Sequence, residues 1–378
     1  MKRELVRFLN CFLFMVIVLL ATGCNPTHQP EQNKELSTNR DLHKNEPKSA
    51  SQLIEEEEII SLELNEGLFH SVADWKDKET IFYIMNNKDG STVYTYNIFN
   101  GESSIFYESE VPIVRFEANK SHSLFLIHTS PSSYEAELIV LDKNANLKFT
   151  TKIESYELQT MWNQIDNNQL FVSSFNEDWT FQTYLINVAE NSINENPVDF
   201  PFIQWLNGNE VSYLKWDQNA PSLSAPLYIY DIKKQEETLL SKNVVANTNY
   251  DKVLSTFELL DENGAAVIKF YDMNSRKLIA DMPTNLVPLY SDWAIPFHDM
   301  ASKGNHFYTF EINDKKTAFS LISYEIETEE KKTLIENIEN LPFLLSPTGE
   351  YALYGARYEK IIRLADKTIK DLVKLIAN

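Results

Sequence analysis

From Ile59 to the C-terminus the chain is a succession of short apolar or alternating runs, separated by Asn, Asp, Gly, Lys and Ser. Thr80 to Met85, Thr92 to Ile98, Ser123 to Thr129 and Glu135 to Leu141 set the rhythm. A period of two puts alternate side chains on opposite faces of a pleated strand, so short runs bounded by turn formers read as strands. Only Lys367 to Ile376 carries apolar residues at helical spacing. Many short strands at regular intervals predict a sandwich, a barrel or a propeller.

Repetition chooses among these. An apolar or aromatic run ends in a small acid or amide at Asn97, Asp142, Asn187, Asp231, Asp272, Glu325 and, more weakly, Asp366; the intervals are 45, 45, 44, 41, 53 and 41 residues. A short polar side chain at a strand end can bond the backbone of the turn that follows. A large ring lies 22 to 32 residues before six of these anchors, at Trp75, Phe116, Trp162, Trp205, Tyr250 and Trp293. Four strands in about 45 residues is the size of one propeller blade. The fold expected is therefore all-β, a propeller of about seven four-stranded blades, or six if a terminal unit is incomplete. The units begin near Gly67, Glu110, Glu154, Phe200, Val244, Leu286 and Ile338. Ile59 to Leu64 precedes the first and is expected to pair with the last blade, closing the ring and removing two open edges. The wide sixth interval is read as an insertion at Phe297 to Asn305. Leu345 to Tyr351 resembles the Ser-Pro-Asp-Gly hairpin of TolB-type propellers, a Pro-started, Gly-ended turn between two strands.

The N-terminus is of another kind. Lys2, Arg3 and Arg7 precede an apolar run from Phe8 to Leu20, interrupted by Asn10. That run falls short of the roughly 20 residues a helix needs to span a bilayer. It reads as a signal peptide, and Leu20-Ala21-Thr22-Gly23-Cys24 resembles the lipobox of bacterial lipoproteins, with Ala21 where Leu is more usual. The resemblance implies diacylglyceryl transfer to the Cys24 sulfur and cleavage before it, and thus anchoring in the cell membrane. Residues 24–58 are rich in Asn, Gln, Lys, Glu and Ser and have almost nothing to bury before Leu53. They are expected to form a disordered acidic tether reaching about 30 Å root-mean-square. The organisation expected is leader 1–23, tether 24–58 and propeller 59–378.

Formal charge is −21, and loss of a leader bearing +2 leaves about −23. So acidic a chain repels nucleic acid and anionic headgroups as direct partners. Both cysteines, Cys11 and Cys24, are N-terminal, so the propeller has no thiol for disulfides, metal thiolates or nucleophilic catalysis. From leader through tether and repeats, the chain resembles the YqgU-like β-propeller lipoproteins of Bacillus-type bacteria. That family is described as six-bladed. The resemblance implies location at the outer face of a Gram-positive membrane and the propeller fold, and it brings no activity.

No Gly-x-Ser-x-Gly elbow, P-loop, dinucleotide fingerprint or His-Glu-x-x-His helix is present. Asp292, His298, Asp299 and His306 gather without the regular spacing of a metal site. No catalytic residue, metal or cofactor is assigned. The phased rings read as packing between blades, whereas Trp179 and Trp216, out of phase, are better surface candidates. The expected role is a non-catalytic binding or assembly module for another envelope component. Phe297, His298, Met300 and Lys303 of the sixth-unit segment are its candidate contacts, because long loops concentrate function. The alternative is an extracytoplasmic hydrolase or lyase acting on wall polymer or carbohydrate at the channel mouth.

Overall fold

The computed structural model describes residues 58–217, 222–290, 292–301, 305–313 and 315–376. The expected leader, the Cys24 anchor and all of the tether before Glu58 lie outside the described residues. Every regular element described is a strand. They form seven four-stranded antiparallel blades: 69–109, 113–154, 157–195, 204–244, 244–285, 298–338 and 343–371. Blades 4 and 5 are joined without a loop. The strand Glu236–Tyr250 pairs through its first half as the outer strand of blade 4 and through its second half as the inner strand of blade 5.

Burial explains the strand patterns. The second and third strands of a blade are covered on both faces by the neighbouring blades, so they read as near-continuous apolar runs. Leu124–Ser132 is buried over its first six residues and Glu135–Asp142 over four in succession. Outer strands face solvent and are polar: Ser192–Glu195 and Thr368–Asp371 are exposed throughout, a composition that discourages edge-to-edge pairing. Thr368–Asp371 belongs to the segment whose spacing suggested a helix. Lys367 to Ile376 instead makes two strands, because pairing with chain distant in sequence overrides weak local periodicity.

The anchors recur as turn caps. Asn97 Oδ1 accepts the N–H groups of Phe99 and Asn100, at 2.9 and 3.0 Å. Asp142 Oδ1 accepts from Asn144 and Asn146, Asn187 from Glu190, Asp231 from Lys233 and Lys234, and Asp272 from Ser275. Each turn then passes through the left-handed region, at Gly101, Ala145, Asn191, Gln235, Arg276, Glu329 and Lys367. Measured from that residue, the seventh anchor position is Arg363, which pairs with Thr368 as Asp272 pairs with Lys277. Asp366 is three residues late, inside the turn, where it caps Thr368.

The ring series holds in three places. Trp75, Trp162 and Trp205 each end an inner strand at equivalent pairings, opposite Ile81, Leu170 and Val211; in blade 5 that position is Asn249, opposite Leu254, and Tyr250 stands one residue later. They pack between blades: Trp75 Nε1 donates to Leu344 O of blade 7 at 3.4 Å and Trp205 Nε1 to Met161 O of blade 3 at 3.3 Å. In blade 2 the equivalent residue is Ala118, with Phe116 two places earlier, and in blade 6 it is Met300, opposite Phe307. Trp293 lies on a separate hairpin, Val287–Pro288 with Trp293–Ala294, that precedes the sixth inner strand His298–Met300. The extra length of that unit is this hairpin and not 297–305, which contains the inner strand itself. Its place is fixed at Gly264, where φ is +94° and an added Cβ would sit 2.9 Å from the Trp293 ring and 2.4 Å from Leu286 O.

The ring closes between blades 7 and 1. Val72 N–H donates to Arg357 O at 3.0 Å, and the Arg357 guanidinium lies 5.0 Å from the centre of the Phe69 ring. Leu62–Asn65 pairs in parallel with Val373–Ile376, the strand that follows the outer strand of blade 7, and not with the blade itself. The Ser346-Pro347-Thr348-Gly349 turn joins Phe343–Leu345 to Tyr351–Tyr354, with Gly349 at φ +73°.

Candidate functional site

Up-and-down blades give the propeller two unlike faces. One carries the turns between inner and second strands and between third and outer strands. The other carries the second-to-third loops and the connections from blade to blade. Seven aromatic side chains are exposed among the described residues: Tyr134, Tyr156, Phe181, Phe202, Trp216, Tyr290 and Phe297. All seven sit at the second face. Tyr134, Phe181 and Trp216 flank second-to-third loops, and the other four lie in blade connections or next to them. Phe202 is 63% and Trp216 46% exposed. Single exposed rings are ordinary, but their concentration on one face is not a consequence of packing a blade. Part of the patch is a cluster: Phe175 lies 5.5 Å from Phe202 and 6.2 Å from Phe181, centre to centre.

A cleft of about 190 Å³ opens on this face between blades 2 and 3, lined by Arg115, His128, Glu135, Tyr156 and Glu157 among others. Arg115 and His128 are paired directly across the inner and second strands of blade 2, which puts both side chains on one surface. His128 is only 7% exposed, and burial, with the Arg115 charge second, lowers its pKa to about 4. Glu135 is held by Lys152 at 2.8 Å, and Tyr134 and Tyr156 stand 6.3 Å apart at the rim. A wider, shallower cleft of about 470 Å³ follows the closing strand between Ile59 to Ser61 and Lys370 to Lys374.

Nearer the axis, three carboxylates recur one residue before the inner-strand end: Asp74 before Trp75, Glu117 before Ala118 and Asp299 before Met300. Asp74 accepts its neighbour Trp75 N–H at 2.7 Å and, in the next blade, Ala118 N–H at 2.8 Å. Asp299 repeats the pattern, accepting Met300 N–H at 2.8 Å and Leu345 N–H of blade 7 at 2.9 Å. Glu117 accepts the Thr160 hydroxyl of blade 3 at 2.7 Å. Burial raises all three carboxyls above their usual values, against the lowering effect of these bonds. The acids of the inner strands thus serve as clasps from one blade to the next. Among the described residues no three His, Asp or Glu side chains are grouped to hold a metal ion.

The sequence signature of the YqgU-like 6-bladed beta propeller domain matches residues 97–355. The chain belongs to that family. The matched stretch takes in blades 2 to 6 whole, with the last strand of blade 1 and the first two of blade 7; strand pairing gives seven four-stranded units where the family description counts six. The chain is 28% identical over 365 residues to an uncharacterized lipoprotein, YqgU, of Bacillus subtilis strain 168, covering 96% of both chains. Its fold is similar to that of an uncharacterized protein of Listeria monocytogenes EGD-e, with TM-score 0.78 and 18% identity over 84% of this chain and 98% of the other. A second likeness is the propeller domain of the Trilobed protease of Pyrococcus furiosus, described as having an open velcro topology; TM-score is 0.55 and identity 12%, over 81% and 98% of the two chains.

The candidate contacts of the sixth unit separate in space. Phe297 is exposed on the aromatic face, its N–H bonded to Asn340 Oδ1 at 3.0 Å. His298 faces inward between blades 5 and 6, with Phe257 and Phe307 at 4.9 and 5.6 Å. Its Nδ1–H donates to Pro296 O at 2.7 Å and its Nε2 accepts from Thr248 Oγ1 at 3.0 Å; burial lowers its pKa and keeps it neutral. Met300 is buried at the inner-strand end. These two side chains, His298 half-buried and Met300 buried, pack the blade interface, since they belong to an inner strand and not to a loop. Lys303 lies outside the described residues. Arg115 and His128 were not legible as a pair, because they are 13 positions apart and meet only through strand register.

Proposed function

We propose that this protein is a membrane-anchored extracytoplasmic lipoprotein whose propeller is a non-catalytic binding module for another envelope component. The lipid on Cys24 holds it at the outer face of the membrane. One observation carries the binding role: the seven exposed aromatic rings among the described residues all occupy one face. Aromatic side chains supply large contact area at low entropic cost, and they are enriched where proteins meet. Phe297 belongs to this surface and is proposed, with Lys303, as part of the contact. The hydrolase or lyase reading has less support, because Asp74 and Asp299 already use both carboxylate oxygens on backbone N–H groups.

The test is site-specific cross-linking of the full lipidated protein in its own membrane, with and without the double change Phe202→Ser and Trp216→Ser. A discrete cross-linked product that the double variant loses, with its melting temperature kept, is the expected outcome. Equal yield from both proteins would place binding on another face. Cys24→Ala should release the protein into the medium; retention in the membrane would overturn the anchor.

A further inference from the structure

Most buried polar groups of this propeller are committed to partners. His128 is the exception that lines a cleft. The residue is 7% exposed, neither ring nitrogen has a hydrogen-bond partner among the described residues, and the side chain lines the opening between blades 2 and 3. An imidazole that no protein group bonds and that is not sealed from the cleft is left to bond what enters there. Around it, Arg115 offers donors, Glu157 and Glu135 offer acceptors, and Tyr156 exposes a ring at the rim. The charges nearly cancel, because Glu135 is paired with Lys152 and Arg115 lies 4.0 Å from Glu117. On a chain of net charge −21 this local neutrality favours neither a cation nor an anion.

We infer that the cleft between blades 2 and 3 binds one neutral sugar ring, with Arg115 and His128 as its hydrogen-bonding floor and Tyr156 as a stacking rim. A sugar hydroxyl both gives and takes a hydrogen bond, which suits a neutral imidazole with one donor and one acceptor nitrogen, and it bonds guanidinium and carboxylate equally well. The low pKa of His128 keeps that neutral form throughout the physiological range. Size agrees: about 190 Å³ is below the roughly 300–1,000 Å³ of sites for drug-sized ligands, so one ring fits and a chain must continue outward past the tyrosines. The inference goes beyond the partner-binding face and does not depend on it.

The experiment is NMR of the full chain in detergent, with ¹³C-labelled histidine, titrated with glucose, galactose and N-acetylglucosamine into the tens of millimolar. The His128 signal is assigned by its loss in His128→Gln. One of the sugars should shift that signal saturably. Arg115→Gln and Tyr156→Ala alter side chains at the opening and should keep the melting temperature, yet weaken the response by about tenfold each. The Phe202→Ser and Trp216→Ser double variant should bind sugar as the parent does, which separates this site from the partner face. A folded parent whose His128 signal none of the three sugars moves, or a shift that persists unchanged in both cleft variants, would overturn the inference.

Discussion

The same residue type does opposite work at two recurring positions of the blade. At the end of the third strand, Asp142, Asp231 and Asp272 are half-buried beside the open turns that they cap. Side-chain hydrogen bonds from Asn146, Lys234 and Ser275 respectively, with turn N–H groups behind them, hold these carboxyls below their usual range. Near the end of the inner strand, Asp74 and Asp299 are enclosed, and burial raises theirs despite two N–H bonds each. The first set reaches two to four residues along the chain; the second reaches 44 and 46 residues, into the next blade. Location, and not chemistry, decides whether a carboxylate closes a turn or ties two blades together.

The comparison breaks most readily at the clasps. Asp299→Ala removes the acceptor of two N–H groups, Met300 and Leu345, and leaves them without a partner. At roughly 1–3 kcal/mol for each unsatisfied group, offset by relief of a buried charge, the loss should be about 2–3 kcal/mol in urea unfolding at neutral pH. A change below about 0.5 kcal/mol would mean that the clasp does not hold the blades.

At a turn anchor the effect should be smaller. Asn97→Ala deletes the cap that accepts Phe99 and Asn100 N–H, in a turn open to water that can replace it. The cost expected is about 1 kcal/mol, with no change in the unfolding slope. A loss as large as that of Asp299→Ala would erase the distinction between the two positions.

The smallest effect sharpens the comparison through its sign. Glu117 has a raised carboxyl pKa, so its ionisation opposes folding: the stability it allows is complete below the unfolded value of 4.5 and is lost as pH rises through the folded one. Glu117→Gln keeps an acceptor for Thr160 and removes the charge. It should therefore be slightly more stable than the parent at neutral pH, the difference closing as pH falls toward 4.5. A variant that is less stable at neutral pH and gains relative to the parent on acidification would reverse the assignment of burial as the dominant influence.

Legibility followed the same division. The anchor series was readable because an Asx cap and its turn are one local object, and six of its seven members stand where the turn geometry places them. The seventh slipped by three residues because Arg363 occupies the anchor position and Asp366, a better-looking cap, stands nearby. The ring series was readable where a large side chain marks the inner-strand end, and failed where Ala118, Asn249 and Met300 take that place. The sixth blade was misdivided because Trp293, on an added hairpin, imitates the missing ring.

The amino-acid sequence by itself determined the all-β class, the period of the repeat, the turn caps and the apolar second and third strands, since each depends on contacts within a few residues or on the two-residue pleat. Tertiary structure alone decided which carboxylates clasp neighbouring blades, which strand closes the ring, and that seven scattered rings share one face. It alone brought Arg115, His128 and Glu157 to one cleft. Those arrangements depend on strand register and on blades meeting some 45 residues apart, a distance over which no local pattern carries information about which side chains will touch.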